Sequence, residues 1–118
     1  MKKKILIVSS SGLVSEKITE LAANNEDVEI IHCNDDEDSV KANISEINAI
    51  INCPRAIFSN EILSEIKSTL EWVHIGGAGI EEYLFPEFVE SNVILTNGKI
   101  IQGPEVSDHA IALILSIT

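Results

Sequence analysis

Residues 72–83 read WVHIGGAGIEEY, and this stretch sets the architecture. An apolar run, Trp72 to Ile75, is too short for a helix and stops abruptly at Gly76-Gly77-Ala78-Gly79. Two carboxylates, Glu81 and Glu82, follow almost at once. A short apolar run closed by glycines reads as a strand leaving a sheet, because such runs bounded by turn residues are buried strands. Glycine there lets backbone N–H groups come close to a neighbour, since no Cβ stands in the way. Two readings stay open: a tight strand-to-helix turn, or a cradle in which two or three amides hold a small monoanion.

Working outward, similar apolar runs occur at 5–9, 28–32, 49–53 and 93–96. Between them apolar residues recur with helical spacing: Leu13, Ile18, Leu21 and Ala22; then Val40, Ile44 and Ile47; then Ile62, Leu63, Ile66 and Leu70. The third of these has a start signal in Ser59, an N-cap residue with Glu61 in the first turn, and the second is expected to start at Asp38 or Ser39. The fourth connection, 81–89, contains Pro86 and has room only for short helical turns. Strands alternating with helices imply right-handed crossovers and a parallel sheet covered on both faces. The expected fold class is α/β, a flavodoxin-like doubly wound five-stranded parallel sheet forming one domain over 1–118. In such sheets ligands bind beyond the carboxyl ends of the strands. That edge holds 9–12, Pro54-Arg55, 76–79 and 97–103.

The chain has 118 residues, 45% hydrophobic and only 4% aromatic, and a formal net charge of −11. So acidic a surface repels phosphate backbones, which excludes nucleic acid as the expected partner. The opening MKKKILIV carries too short an apolar run for a signal peptide or a membrane span, so a cytoplasmic location is expected. Without a secretion signal, Cys33 and Cys53 read as reduced, buried small residues rather than a disulfide. No Cys/His spacing resembles a metal site.

Other candidates carry less. Gly77-Ala78-Gly79 supplies the first two glycines of a dinucleotide fingerprint, but Glu82 stands at the third position and the segment follows the fourth strand instead of opening the first βα unit. SSSGLVS, 9–15, resembles a flavodoxin phosphate loop. A flavin ring needs aromatic walls, for which Tyr83 is the main candidate, and helix capping by Ser11 is the simpler reading. A phosphoacceptor receiver fails, because acidic residues are missing after the first strand and Asn52-Cys53 ends the third. Arg55, the sole arginine, sits at the ligand edge and suits a carboxylate by its bidentate geometry, or is simply a surface cation. His109 follows Asp108 without a nucleophile, and no Ser–His–acid arrangement is present. His32 and His74 fall on strands, in core or cleft-lining positions.

The last segment, GPEVSDHAIALILSIT, has Pro104 near a helix start and then Ala110 to Leu115 and Ile117 on every side of the helix. A helix apolar all round is expected to be buried all round. One sheet face covers one stripe, so either further protein or a second chain is expected to cover the rest, making a homo-oligomer a natural outcome. The absence of a stop signal at Thr118 suggests a chain cut in mid-helix.

LEWVHIGGAGIEEY and VILTNGKIIQGPEVSDHAIALILS, in that order and spacing, resemble two segments of the D-isomer-specific 2-hydroxyacid dehydrogenases. The likeness covers 70–118; before that only the general pattern agrees. Glu81-Glu82 replaces the family's usual Asp-His, and Ser107-Asp108 its Ala-Glu. The resemblance implies that Gly77, Ala78 and Gly79 hold the carboxylate of a small 2-keto or 2-hydroxy acid, that Gln102 faces the cleft, and that His109 lies on a hinge helix joining two domains; Arg55, at the same edge, is the candidate that its own chemistry adds to the substrate site. It further implies an NAD- or NADP-dependent oxidoreductase whose dinucleotide-binding domain and catalytic residues follow the hinge helix. No catalytic residue is therefore expected within 1–118, no cofactor is expected on this chain, and the chain alone is expected to be inactive. The alternative is a free-standing flavodoxin-like binding module or a self-associating interaction module.

Overall fold

The computed structural model describes residues 2–10, 12–99 and 103–117, with 12–15 and 21 described through their backbone alone. Strands and helices alternate: β1 (Lys3–Val8), α1 (Gly12–Ala23), β2 (Val28–Cys33), α2 (Glu37–Asn43), β3 (Ala49–Ile51), α3 (Asn60–Ile66), β4 (Trp72–Ile75), a 3-10 turn (Glu81–Tyr83), α4 (Pro86–Val89), β5 (Ile94–Asn97) and α5 (Gly103–Ser116). All strand pairs are parallel and the order is β2-β1-β3-β4-β5. This is the flavodoxin-like doubly wound arrangement expected above.

Local chemistry explains the helix starts. The Asp36 carboxylate accepts from the Ser39 amide at 2.8 Å, so α2 begins at Glu37, before the Asp38 or Ser39 start that the sequence suggests. Ser39, through that amide and its hydroxyl, holds the Asp36 carboxyl below its usual range. Ser59 caps α3 as expected, accepting from the Ile62 amide at 3.3 Å. Pro86 opens α4, where its missing N–H costs nothing.

Register sorts the sheet into two faces, since successive side chains alternate. Leu6, Ile50, Val73 and Leu95 share one row across β1, β3, β4 and β5. That face carries the main core, where Leu6, Ile50 and Val73 meet Val40 of α2, Ile62, Leu63 and Ile66 of α3 and Phe88 of α4. Phe58, fully buried, is its aromatic centre, with ring centroids 6.3 Å from Tyr83, 6.1 Å from Phe85 and 5.8 Å from Phe88.

The opposite face is built from the rows Ile5-Ala49-Trp72-Ile94 and Ile7-Ile51-His74-Thr96. Here α1 lies beside β2, tied by Thr19 Oγ1 to His32 Nε2 at 2.7 Å. Ile7 and Ala49 are buried. Towards the β5 edge the cover runs out: Trp72 and His74 are half-buried, while Ile94 and Thr96 are exposed. The expectation of a sheet covered on both faces thus holds for one face and only half of the other.

Within this one chain the last helix is not covered, not even by the one stripe expected against the sheet. No described residue of α5 is buried, and Val106, Ile111, Leu113, Ile114, Leu115 and Ile117 are 55–85% exposed. Apolarity sets what a helix prefers to touch; among the described residues no other element packs closely along α5. The long axis of the molecule reaches 58 Å against 37 and 24 Å for the others. Among the described residues, no helix is long and apolar enough to cross a membrane.

Candidate functional site

The glycine segment 76–79 leaves β4 at the carboxyl edge of the sheet and is held from two sides. From β3, Asn52 takes the Gly76 amide on its side-chain oxygen at 2.7 Å. From β5, the Gly98 amide donates to Gly77 O at 3.0 Å and Asn97 Nδ2 donates to Ala78 O at 2.6 Å. The Gly76 amide and two loop carbonyls are therefore occupied. The amides of Gly77, Ala78 and Gly79 have no acceptor among the described residues, and all three residues are exposed. Parallel strands end together here, so three neighbouring strand ends converge on one short loop.

Asn52 manages this in the left-handed region, at φ 60°. Asparagine tolerates that conformation better than other residues with a Cβ, because its short amide finds local partners. Asn52→Ala is expected to lower stability by about 1–2 kcal/mol through strain and the lost bond to Gly76. Asn52→Gly should recover the strain and not the bond. Urea titration of the three proteins checks this ranking; equal midpoints for all three would refute it.

The four glycines of this edge differ in what they require. A Cβ on Gly98 would stand 2.1 Å from Gly76 O, and one on Gly76 would stand 2.9 Å from Asn52 Oδ1. A Cβ on Gly77 meets nothing within 4 Å, and one on Gly79 meets only Glu81 Oε2 at 3.4 Å. No described glycine has a positive φ. Gly98 is thus a glycine because the backbone at the end of β4 crowds it, Gly76 faces only the Asn52 side-chain amide, and the fold does not ask for glycine at 77 or 79.

Arg55 lies at the same edge but is engaged by the protein itself. Its Nε donates to Glu82 O, its Nη1 donates to Phe58 O at 2.9 Å, and its guanidinium sits 4.5 Å from the centre of the Phe85 ring. It ties the 3-10 turn and the following segment back onto the start of α3. His109 is exposed on α5, and no described contact brings it to the glycine loop. Gln102 lies outside the described residues, as does the Ser11 cap.

Tyr83 is buried, and its hydroxyl donates to Cys53 O at 2.8 Å. Burial pushes its phenol pKa up. Packed against Phe58, the ring offers no open face to a flavin. Cys53 is buried beneath it, and burial pushes its thiol pKa up to about 12, so it stays protonated near neutral pH. Cys33 is half-buried and also raised, chiefly by desolvation. Both are free thiols, Cys33 at the end of β2 and Cys53 two residues past β3. Among the described residues no group of three or more His, Cys, Asp or Glu is placed to hold a metal ion.

A nicotinamide dinucleotide does not fit this loop. It follows the fourth strand, leads into a three-residue 3-10 turn instead of a long helix, and places the exposed Glu81 and Glu82 where a pyrophosphate would add two negative charges. The edge therefore presents three exposed residues, 77–79, whose amides have no acceptor among the described residues. Asn97 and Gly98 were expected only as part of the 97–103 edge, and Asn52 was not expected there; that all three hold the glycine loop was not anticipated. Their signal was an Asn just after each apolar run, in INC and TNG. Comparison with known proteins found no matching family model, no matching curated protein and no matching solved structure.

Proposed function

We propose that the chain is the substrate-binding portion of a D-2-hydroxyacid dehydrogenase, with Gly77, Ala78 and Gly79 holding the carboxylate of a 2-keto or 2-hydroxy acid. The observation that carries this reading is the loop of three exposed residues whose amides have no acceptor among the described residues, fixed by Asn52, Asn97 and Gly98. Glycine at 77 and 79, where the fold leaves room for a Cβ, supports close approach by a ligand rather than a steric need. The segment resemblances of 70–118 supply the substrate class. In this reading a separate domain carries NAD or NADP and the acid/base pair, and α5 with His109 leads towards it.

Two neutral N–H donors contribute about 1 kcal/mol each, somewhat more to a charged acceptor, so the open loop binds a carboxylate at millimolar strength at best. Glu81 opposes the bound anion. At about 5 Å in water-like surroundings two like charges repel by about 0.8 kcal/mol, roughly a fourfold effect on affinity.

The test is a titration of 15N-labelled protein with pyruvate, followed by backbone amide shifts. The amides of Gly77, Ala78 and Gly79 should move together with a millimolar midpoint. Gly79→Val should weaken the response several-fold while leaving the fold intact, because a Cβ there meets only the Glu81 side chain. Glu81→Gln should tighten it about fourfold. If the three amides stay still, or a folded Gly79→Val variant responds as the parent does, the loop is only a turn.

A further inference from the structure

Residues 97–98 are the single Asn-Gly pair of the chain. They stand where β5 ends, and both are tied to the exit of β4. An Asn-Gly pair carries a chemistry of its own. Glycine leaves its amide nitrogen without a side chain in the way, so that nitrogen can reach the preceding carboxamide carbon. Gly98 N attacks Asn97 Cγ, the amide proton passes to solvent, and Nδ2 leaves as ammonia. The product is a five-membered succinimide. Water then opens the ring at either of its two carbonyl carbons, giving an aspartyl residue by one route and an isoaspartyl residue by the other. In sum, asparaginyl plus water gives aspartyl plus ammonia, and nothing is oxidised or reduced.

The fold holds both reacting groups away from this step. Gly98 N–H donates to Gly77 O at 3.0 Å and Gly98 is buried, so the proton that must leave is bonded to protein and screened from hydroxide. Asn97 Nδ2, the leaving nitrogen, donates to Ala78 O at 2.6 Å. Turning the Asn97 side chain towards its own backbone breaks that bond, and attack by Gly98 N breaks the other. Both bonds end on neighbouring residues, Gly77 and Ala78, so they fail together when the exits of β4 and β5 part. Local openings of this kind cost less than global unfolding.

We propose that Asn97 is a deamidation site kept closed by the folded glycine loop, and that its conversion releases the loop irreversibly. The aspartyl product has no donor for Ala78 O, because an ionised carboxylate only accepts. Two oxygens then face each other where a 2.6 Å bond stood. In the isoaspartyl product the main chain runs through Cβ and is longer by a carbon. Gly98 has no slack to absorb this, since Gly76 O lies 2.1 Å from where a Cβ on Gly98 would be. Either product adds a negative charge to an edge that already carries Glu81 and Glu82. Ammonia is lost to solvent, so refolding does not undo the change. The release depends on the packing of the loop and not on its binding a carboxylate.

The purified chain is incubated in mildly alkaline buffer, both folded and in concentrated guanidinium chloride, and each asparagine is followed by peptide mass spectrometry. In denaturant Asn97 should convert faster than any other asparagine, to a mixture of aspartyl and isoaspartyl peptides. In the folded chain its rate should fall about tenfold or more, to the level set by the fraction of molecules with the exits open. Asn52→Ala removes the bond to the Gly76 amide at 2.7 Å. It should raise the folded-state rate at Asn97 several-fold, with no change at the other asparagines and none in denaturant. The effect of conversion is read with Asn97→Asp, and with Asn97→Ala, which loses the same bond without gaining a charge. In both variants the Gly98 amide should exchange with deuterium several-fold faster than in the parent, and faster with aspartate than with alanine. Equal rates at Asn97 in the folded and denatured chains overturn the proposal, as does an Asn52→Ala rate equal to the parent's. So does a Gly98 amide as protected in either variant as in the parent, which makes Asn97 an ordinary turn residue.

Discussion

Gly98→Ala is expected to lower stability by about 3 kcal/mol, with Gly98→Val lower still. A Cβ there would lie 2.1 Å from Gly76 O and 3.0 Å from Gly76 C, backbone atoms that have no rotamer to retreat into. Gly98 is buried, and its own amide is bonded to Gly77 O, so the β4 and β5 exits must separate to make room. That separation also pulls Asn97 Nδ2 from Ala78 O and disorders residues 77–79. Urea denaturation measures the loss, and the amide shifts of 77–79 report the loop. A Gly98→Ala protein within about 0.5 kcal/mol of the parent, the usual range of a harmless surface change, is incompatible with this packing. Gly77→Ala is the control, since nothing lies within 4 Å of its new atom.

Phe58→Ala should cost about 3–5 kcal/mol, the range for emptying a buried phenylalanine site. Domains of this size are stable by about 5–15 kcal/mol, so this single change removes a large share. The ring is fully buried and is flanked by Tyr83, Phe85 and Phe88, three of the few aromatic residues in the chain. Because those three belong to the 3-10 turn, its exit and α4, the loss should fall first on the 81–89 segment. Hydrogen exchange should show that segment opening before β1 and β3. Uniform loss of protection across the sheet would argue instead that Phe58 supports the whole core equally.

The order of elements was legible because hydrophobic period is a local property of the chain. Four-residue apolar runs such as Trp72–Ile75 and helical spacings such as Ile62, Leu63 and Ile66 need no knowledge of partners, and both appear where expected. Pro86 limited the fourth connection to short turns for an equally local reason. The start of α2 was missed by a residue or two because Asp36 and Asp38 are equally good caps on paper. Which one captures an amide depends on where β2 releases the chain. The glycine loop was found as a loop, but the residues that hold it were not. Asn52 and Asn97 act across strands that are 24 and 19 residues away from their partners in sequence. Arg55 illustrates the converse. Its chemistry suits a carboxylate, yet Glu82 O, Phe58 O and the Phe85 ring surround it.

By itself the sequence determined the α/β class, the parallel order of strands and the edge on which the glycines lie. These follow from side-chain period and from the fixed handedness of crossovers, which hold for any chain with this pattern. Tertiary structure alone decided which glycine is sterically required, since backbone crowding at Gly98 arises only where β4 and β5 end side by side. It also decided that α5 stands exposed beside a half-covered sheet. An apolar helix declares in its sequence that it avoids water. What it meets instead depends on surfaces brought together from distant parts of the chain, or from a second one, and no local pattern encodes that.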